Sequence, residues 1–189
     1  MSNLHTLYSK FGVSPWLDNL SRDLIASGEL KNLVEKGVRG LTSNPSIFEK
    51  AFSDGEYYAQ PFKELRTAGK SVEEAYWELA IKDIQDACDL LKPVFDESAG
   101  NDGFVSLEVS PEFAHDKDAT VKQAKDLWSR VNRPNLMIKI PATVECIPAI
   151  SEVLAHGINV NVTLIFSLHR YLQVIAAYMD GLEKLGNPV

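Results

Sequence analysis

The sequence predicts an α/β fold in which parallel strands alternate with helices, and it favours a (β/α)8 TIM barrel over an open sheet. The first observation is that short apolar runs alternate with longer patterns of helical period along the 189 residues. The second is that no glycine-rich turn follows the first predicted strand, as a dinucleotide-binding fold would require. The third is that three successive strands each have one aliphatic and one polar face.

Five strands are predicted, each bounded by turn residues. Three are clear from their apolar, β-branched composition: DGFVSLEVS (102–110), NLMIKIP (135–141) and INVNVTLIF (158–166). Two shorter segments, SPWLDN (14–19) and GVRGLTSN (37–44), give weaker strand signals. Because helical segments separate the strands, neighbouring strands are expected to run parallel with right-handed crossovers.

The helices are predicted from apolar spacing and from the capping residues at their ends. Helical segments are expected around 21–36, over NPSIFEKAF, and over 71–92, 118–131, 144–156 and 167–186. The expected N-terminal signals are Asn44 with Pro45, Ser71 with Glu74 in a capping box, Asp118 and Ser167; the expected ends are Gly157 and Gly186. Pro148 leaves the start of the 144–156 helix open, and the aromatic segment 50–62 is expected to contribute packing.

Composition and charge exclude several classes of partner. The chain is 45% hydrophobic and 24% charged, which is ordinary for a globular protein, and we expect a single domain over residues 1–189. The formal charge is -7, and no basic cluster interrupts it, so neither nucleic acid nor a membrane surface is an expected partner. We find neither a signal peptide nor an apolar run of the ~20 residues that span a membrane. With only two cysteines, a cytoplasmic location is expected.

The three clear strands each divide into two faces, because successive side chains alternate. The aliphatic faces carry Val105, Leu107 and Val109; Leu136, Ile138 and Ile140; and Ile158, Val160, Val162 and Leu164. Opposite them lie Ser106, Glu108 and Ser110; Met137, Lys139 and Pro141; and Asn159, Asn161 and Thr163. A sheet covered by helices on both sides would be apolar on both faces, so this asymmetry favours a barrel whose interior surrounds a site.

Lys139 is the candidate nucleophile, because an amine that faces a barrel interior loses hydration and its neutral form attacks carbonyl groups. Glu108, Asn161 and Thr163 are expected on the same side, where they can hold a water that moves protons. Considered on its own strand, Lys139 has an equally good alternative interpretation as a solvent-facing lysine at a sheet edge. The polar residues of the neighbouring strands favour catalysis.

The other candidates also have structural interpretations when each is taken singly. These are a salt bridge for Glu108, hydrogen-bonded core groups for Asn161 and Thr163, a helix cap for Asn44 and a solvated turn for Asp18. His115 and His169 do not have the spacing of metal ligands, so no metal site is predicted.

Several segments resemble, in the same order, the signatures of transaldolases, particularly of the longer bacterial branch. GLTSNPSIF resembles the N-terminal signature, and LMIKIPAT followed by INVNVTLIFS resembles the region of the Schiff-base lysine. SPWLDNLSR and SLEVSPEFAHD also resemble family segments. The resemblance implies a (β/α)8 barrel of the class I aldolase type that uses no metal or organic cofactor.

The resemblance also implies a reaction and a set of roles. A dihydroxyacetone unit would pass from sedoheptulose 7-phosphate or fructose 6-phosphate to erythrose 4-phosphate or glyceraldehyde 3-phosphate, in the non-oxidative pentose phosphate pathway. By similarity, Lys139 forms the imine, Asp18 is the acid/base of carbon–carbon cleavage, Glu108 and Thr163 hold the catalytic water, and Asn44 and Asn161 bind the dihydroxyacetone portion. A fructose-6-phosphate aldolase, which releases dihydroxyacetone, is the alternative enzyme.

Two departures from the family pattern stand out. The family commonly has glycine at the position of Cys146, where a Cβ is expected to crowd the start of a helix. A complete barrel takes ~250 residues, whereas five strands are predicted here, and the family's phosphate-binding serine and arginine have no counterpart. We therefore expect an incomplete barrel of about five of eight strands. Its unpaired edges would be covered by the missing C-terminal part or, in the alternative of a catalytically inert half-barrel, by self-association.

Overall fold

The computed structural model describes residues 2–186, apart from the side chain of Asp54. These residues divide into two compact units. The first contains the residues up to Val105 together with Val131–Asn135, and the second contains Ser106–Arg130 and the residues from Leu136 onward. The prediction of a single domain stays a prediction.

In the first unit, strand β1 (Trp16–Asp18) pairs in parallel with β2 (Gly40–Thr42). The next strand, β3 (Val105–Glu108), begins in this unit, and the Leu41 N–H donates to the carbonyl of Phe104 at 3.0 Å. Both weak strand predictions are confirmed, although each strand has only three residues.

In the described part of the first unit, six helices lie before or between these strands along the chain. They are α1 (Asn3–Phe11), α2 (Arg22–Ala26), α3 (Glu29–Glu35), α4 (Pro45–Asp54), α5 (Glu56–Thr67) and α6 (Val72–Glu97). The helical stretch predicted over 21–36 is two helices, because Gly28 adopts left-handed backbone with φ 77° between them. Helices α1 and α5 were not predicted, and α6 continues past its predicted end with Pro93 inside it.

Two of the predicted N-caps of this unit are confirmed. The Asn44 side chain accepts a hydrogen bond from the Ile47 N–H at 2.9 Å, and Pro45 is the first residue of α4. Ser71 and Glu74 form both hydrogen bonds of a capping box at the start of α6. These caps satisfy backbone N–H groups that have no partner within the helix.

In the second unit, β3 continues beside β4 (Leu136–Pro141), and β4 pairs in parallel with β5 (Val160–Thr163). The Val109 N–H donates to the Lys139 carbonyl at 3.1 Å, and the Ile138 N–H donates to the Asn159 carbonyl at 2.8 Å. Strand β4 therefore has a neighbour on each side. The helices that follow these strands are α7 (Lys117–Val131), α8 (Ile147–Ala155) and α9 (Leu168–Leu185).

The structure corrects two predicted boundaries in this part of the chain and resolves a third, the start of α8, which the sequence left open. Asp118 does not cap α7, because the helix begins one residue earlier and Asp116 accepts the Ala119 N–H at 3.0 Å. Helix α8 begins at Ile147, with Pro148 in its first turn, where the missing N–H of proline costs no helical hydrogen bond. Strand β5 ends at Thr163, since Leu164 has φ 62°. The predicted cap Ser167 and the predicted end Gly186 are confirmed for α9.

Helix α9 has two apolar faces that differ in their packing. One face, with Val174, Ala177 and Gly181, is buried against α8. Gly181 allows this close approach, because a Cβ there would lie 2.7 Å from the Cβ of Leu154. The other face is exposed and carries Leu168, Tyr171, Leu172, Ile175 and Tyr178.

The strands follow one another in chain order within each unit, β1 to β3 in the first and β3 to β5 in the second, with helices between them. This is the order of a (β/α)8 barrel, so the predicted fold class is confirmed, and residues 2–186 hold five of its eight strands. Within those residues, every helix is too short or too polar to cross a membrane.

Candidate active site

Lys139 and Glu108 form an ion pair on the polar face of the second unit. The Lys139 Nζ lies 3.1 Å from Glu108 Oε2, and the two side chains are only 12% and 16% exposed. Lys139 belongs to β4, and Glu108 is the last residue of β3. The structure therefore brings the predicted nucleophile within hydrogen-bonding distance of a predicted proton acceptor.

The position of Lys139 follows from the alternation of side chains along β4. Its neighbours Ile138 and Ile140 are fully buried on the other face, as predicted. Because β4 lies between β3 and β5, Lys139 is not on an edge strand, and its interpretation as a lysine at a sheet edge is wrong.

Strand β5 adds two polar residues beside this ion pair. Asn161 is the Cα partner of Lys139 in the parallel ladder, and Thr163 is the partner of Pro141. Both are partly buried. Since parallel strands in register present equivalent positions on one face, Asn161 and Thr163 lie on the side of the sheet that carries Lys139.

Ser106 is a member of this group that the sequence did not mark as functional. It is fully buried on β3, two residues before Glu108. Its Oγ accepts a hydrogen bond from Asn161 Nδ2 at 2.8 Å. Strand alternation placed Ser106 on the polar face, but only the arrangement of β3, β4 and β5 shows which residue it contacts.

The remaining candidates, Asp18 and Asn44, line a cavity of about 550 Å³ in the first unit. Thr42 donates to Asp18 Oδ1 at 2.5 Å, which joins the ends of β2 and β1. Ser46 and Lys50 of α4 also line this cavity and were not predicted as site residues. Ser46 and Lys50 are four residues apart and so share one face of α4, but their spacing of two and six residues from Asn44 gave no signal.

Asn44 caps α4 and also lines the cavity. The cap uses Oδ1, which accepts the Ile47 N–H. An asparagine amide also has an NH₂ group, which this cap does not use, and Asn44 lines the cavity. The cap and a binding role are therefore compatible.

Cys146 fits into the second unit without backbone strain. Its φ of -85° and ψ of -13° are ordinary right-handed helical values. The fully buried thiol lies 3.4 Å from the carbonyl oxygen of Ala114 and 3.6 Å from Thr120 Oγ1. The predicted crowding does not distort the chain here. Among the described residues, no His, Cys, Asp and Glu side chains form a group of three that could hold a metal ion.

Comparison with known proteins gives this geometry a family context. Residues 15–186 match the family model described as transaldolase/fructose-6-phosphate aldolase. The chain belongs to this family. The predicted resemblance is therefore confirmed, and it covers nearly all of the described residues.

Individual transaldolases show the same relationship. Over 184 residues the chain is 53% identical to a transaldolase of Saccharopolyspora erythraea, covering 97% of this chain and 50% of that protein. It is 52% identical to a transaldolase of Thiobacillus denitrificans over 177 residues, covering 93% of this chain and 49% of that protein. A Mycobacterium tuberculosis transaldolase is 51% identical over 177 residues, covering 93% of this chain and 48% of that protein. The chain thus spans about half the length of the curated relatives it matches.

Proposed function

We propose that this chain supplies the imine-forming half of a transaldolase. The substrates would be sedoheptulose 7-phosphate or fructose 6-phosphate as donor, and erythrose 4-phosphate or glyceraldehyde 3-phosphate as acceptor. The family, and the relatives that are about 50% identical, support this assignment. The same similarity supports a place in the non-oxidative pentose phosphate pathway and a cytoplasmic location.

The observation that carries the proposal is the contact between Lys139 and Glu108. A lysine must lose a proton before its nitrogen can attack a ketone. The Glu108 carboxylate, 3.1 Å from Nζ, can accept that proton without a large movement. The low exposure of both side chains reduces competition from bulk water.

The first chemical step is formation of the imine. The neutral Lys139 Nζ attacks the C2 carbonyl of the ketose, and the carbonyl oxygen takes a proton from the attacking nitrogen to become a carbinolamine hydroxyl. Glu108 then returns its proton to that hydroxyl, which leaves as water while the C–N double bond forms. The iminium carries a positive charge next to the bond that breaks in the following step.

The second step is cleavage of the C3–C4 bond. We propose that Asp18 takes the proton of the C4 hydroxyl, the role that the family resemblance implies for it. The electrons of the C3–C4 bond move to the iminium, giving an enamine on Lys139 and a free aldose phosphate. Addition of the enamine to the acceptor aldehyde reverses these movements, and water releases the new ketose.

The other predicted residues have binding roles in this proposal. Asn44 and Asn161 would hydrogen-bond the dihydroxyacetone portion, and Thr163 with Glu108 would hold the water that enters and leaves. Their partial burial and their positions at or near strand ends support these roles.

We further propose that additional barrel residues cover the exposed apolar face of α9. This face, with Phe166 at 87% exposure just before the helix, is the kind of apolar patch that marks an interface. The relatives have about twice the length of this chain, and their remaining residues are the proposed cover. A second copy of the chain is the alternative, and sedimentation velocity distinguishes them: a discrete dimer would contradict the first assignment.

The direct test is product analysis. The chain, alone and mixed with the C-terminal half of the S. erythraea relative, is given fructose 6-phosphate with and without erythrose 4-phosphate. We expect sedoheptulose 7-phosphate only when the acceptor is present, and none with Lys139→Met. Free dihydroxyacetone without acceptor would favour the aldolase alternative. Neither product from the folded proteins would contradict the proposal.

A further inference from the structure

Ser106 is a buried hydroxyl beside the proposed site, and the proposed mechanism does not use it. Its exposure is 0%, and it lies on β3 two residues before Glu108. A buried hydroxyl cannot form hydrogen bonds with water, so it needs a partner within the protein. One partner is the side-chain amide of Asn161.

This hydrogen bond links strands that are not neighbours. Ser106 lies on β3 and Asn161 on β5, and β4 with Lys139 runs between them. Side chains in the interior of a (β/α)8 barrel form layers to which alternate strands contribute. Ser106 and Asn161 follow that arrangement, and their bond of 2.8 Å passes beside the strand of the imine-forming lysine.

The bond also determines the orientation of the Asn161 amide. An amide has an oxygen that only accepts and a nitrogen that only donates, and the two lie in its plane on opposite sides of the Cβ–Cγ bond. Because Nδ2 donates to Ser106, Oδ1 is held on the side away from Ser106. A hydroxyl group of a substrate would therefore meet an acceptor at this position.

We propose that Ser106 is a positioning residue that holds Asn161 so that Oδ1 accepts a hydroxyl of the ketose bound at Lys139. The inference rests on the proposed function, because it assumes that the ketose occupies this face. Without Ser106 the amide can rotate, and a bound hydroxyl can then meet an NH₂ group, which cannot accept its hydrogen bond. Loss of this contact weakens sugar binding without altering the amine that reacts.

The test is borohydride trapping of the wild-type chain and of Ser106→Ala at increasing fructose 6-phosphate. We expect the concentration that gives half-maximal adduct to rise about tenfold in Ser106→Ala, the value of one lost hydrogen bond. The adduct at saturating sugar should stay close to that of the wild type. Ser106→Ala on an Asn161→Ala background should cause no further rise, because the serine acts through the asparagine.

Ser151→Ala is the matched control for a purely structural serine. Ser151 is also buried in the second unit, and its hydroxyl donates to Asp180 on α9. Loss of the Ser151 hydroxyl should lower the thermal midpoint of unfolding by a few degrees. It should leave the fructose 6-phosphate concentration that gives half-maximal adduct unchanged. If Ser106→Ala behaves in the same way, the positioning role is overturned while the proposed function stands.

An NMR measurement tests the link independently of the reaction. The side-chain NH₂ resonances of Asn161, assigned by their disappearance in Asn161→Asp, should shift in Ser106→Ala and not in Ser151→Ala. Unshifted resonances would overturn the inference. Absence of any adduct in the folded wild-type chain would instead count against the proposed function.

Discussion

Two ion pairs with poorly exposed carboxylates lie in different units of the chain and differ in chemistry. In the first unit Arg22 meets Asp83 at 2.7 Å, with side chains 20% and 0% exposed. In the second unit Lys139 meets Glu108 at 3.1 Å. Arginine keeps its proton in proteins, whereas lysine can release one to a neighbouring base. Burial of a charge pair therefore does not by itself mark a reactive site.

The surroundings of the first pair show how a structural ion pair is completed. The Tyr58 hydroxyl donates to Asp83 Oδ2 at 2.7 Å and accepts the backbone N–H of Arg22 at 2.7 Å. Burial raises the pKa of Asp83, against the lowering effects of Tyr58 and Arg22, and burial also raises the pKa of the Tyr58 hydroxyl. This cluster ties α2, α5 and α6 together, and its groups are occupied with one another.

The largest effect on activity is expected from replacing Lys139 by arginine. Lys139→Arg retains the charge opposite Glu108 but has no amine that forms a stable imine. We expect complete loss of transfer activity, with the free energy of unfolding within about 1 kcal/mol of the wild type. Activity assays and urea unfolding measure the two quantities. Retained transfer activity would show that Lys139 is not the nucleophile.

Removing the proposed base, Glu108, should slow imine formation without abolishing it. Glu108→Gln keeps the shape of the side chain but accepts a proton poorly, so imine formation should slow about a hundredfold. Rapid-quench borohydride trapping measures this rate. Glu112→Gln, on the short 3₁₀ turn after β3, is the control and should leave the rate unchanged. Equal rates in Glu108→Gln and the wild type would assign Glu108 a structural role only.

Breaking the Arg22–Asp83 pair should lower the free energy of unfolding. Asp83→Ala leaves Arg22 and the Tyr58 hydroxyl without their buried acceptor, and we expect a loss of about 3 kcal/mol. Because Arg22 is partly exposed, we expect this loss to be smaller than it would be for a fully buried ion pair. Chemical denaturation measures it. A change below about 0.5 kcal/mol would mean that the cluster does not hold these helices together.

A smaller loss is expected when only the hydroxyl of the cluster is removed. Tyr58→Phe removes the donor to Asp83 and the acceptor of the Arg22 N–H. We expect it to lower the free energy of unfolding by about 1–2 kcal/mol. The exposed neighbour Tyr57 provides the matched control, and Tyr57→Phe should change stability by less than about 0.5 kcal/mol. Equal effects of the two substitutions would contradict the account of the cluster.

The smallest effect is expected at an exposed ion pair. The hydrogen bond from Arg133 lowers the pKa of Asp89 below its ordinary value of 3.8. The resulting stabilisation is present above that value and is lost as the pH falls through the lower pKa of the folded state. Asp89→Asn should flatten the dependence of stability on acid pH slightly. An unchanged acid profile would show that the pair is without thermodynamic effect, as many exposed pairs are.

The ion pair of Lys139 and Glu108 was predictable from the sequence because its signal is local. Alternation along 102–110 and 135–141 placed Glu108 and Lys139 on polar faces opposite aliphatic ones, and the structure confirms those faces. The cap at Asn44 was equally local. Assignment to the family depended on several short segments in the right order, and the match over residues 15–186 confirms it.

The structural cluster was not predictable, because it depends on contacts between distant helices. Arg22, Tyr58 and Asp83 have no spacing that relates them. The bond from Asn161 to Ser106 likewise requires the register of three strands. Helix α5 was missed because Gly55 and Pro61 suggest a loop, yet Gly55 only precedes the helix and Pro61 lies inside it.

The most direct test of the account is the site at which a sugar attaches. The chain, alone and mixed with the C-terminal half of the S. erythraea relative, is incubated with fructose 6-phosphate, reduced with borohydride, digested and mapped by mass spectrometry. We predict one adduct, on the peptide that carries Lys139, and none in Lys139→Arg. An adduct spread over surface lysines, or none on this peptide in either folded sample, would contradict a Schiff base at Lys139.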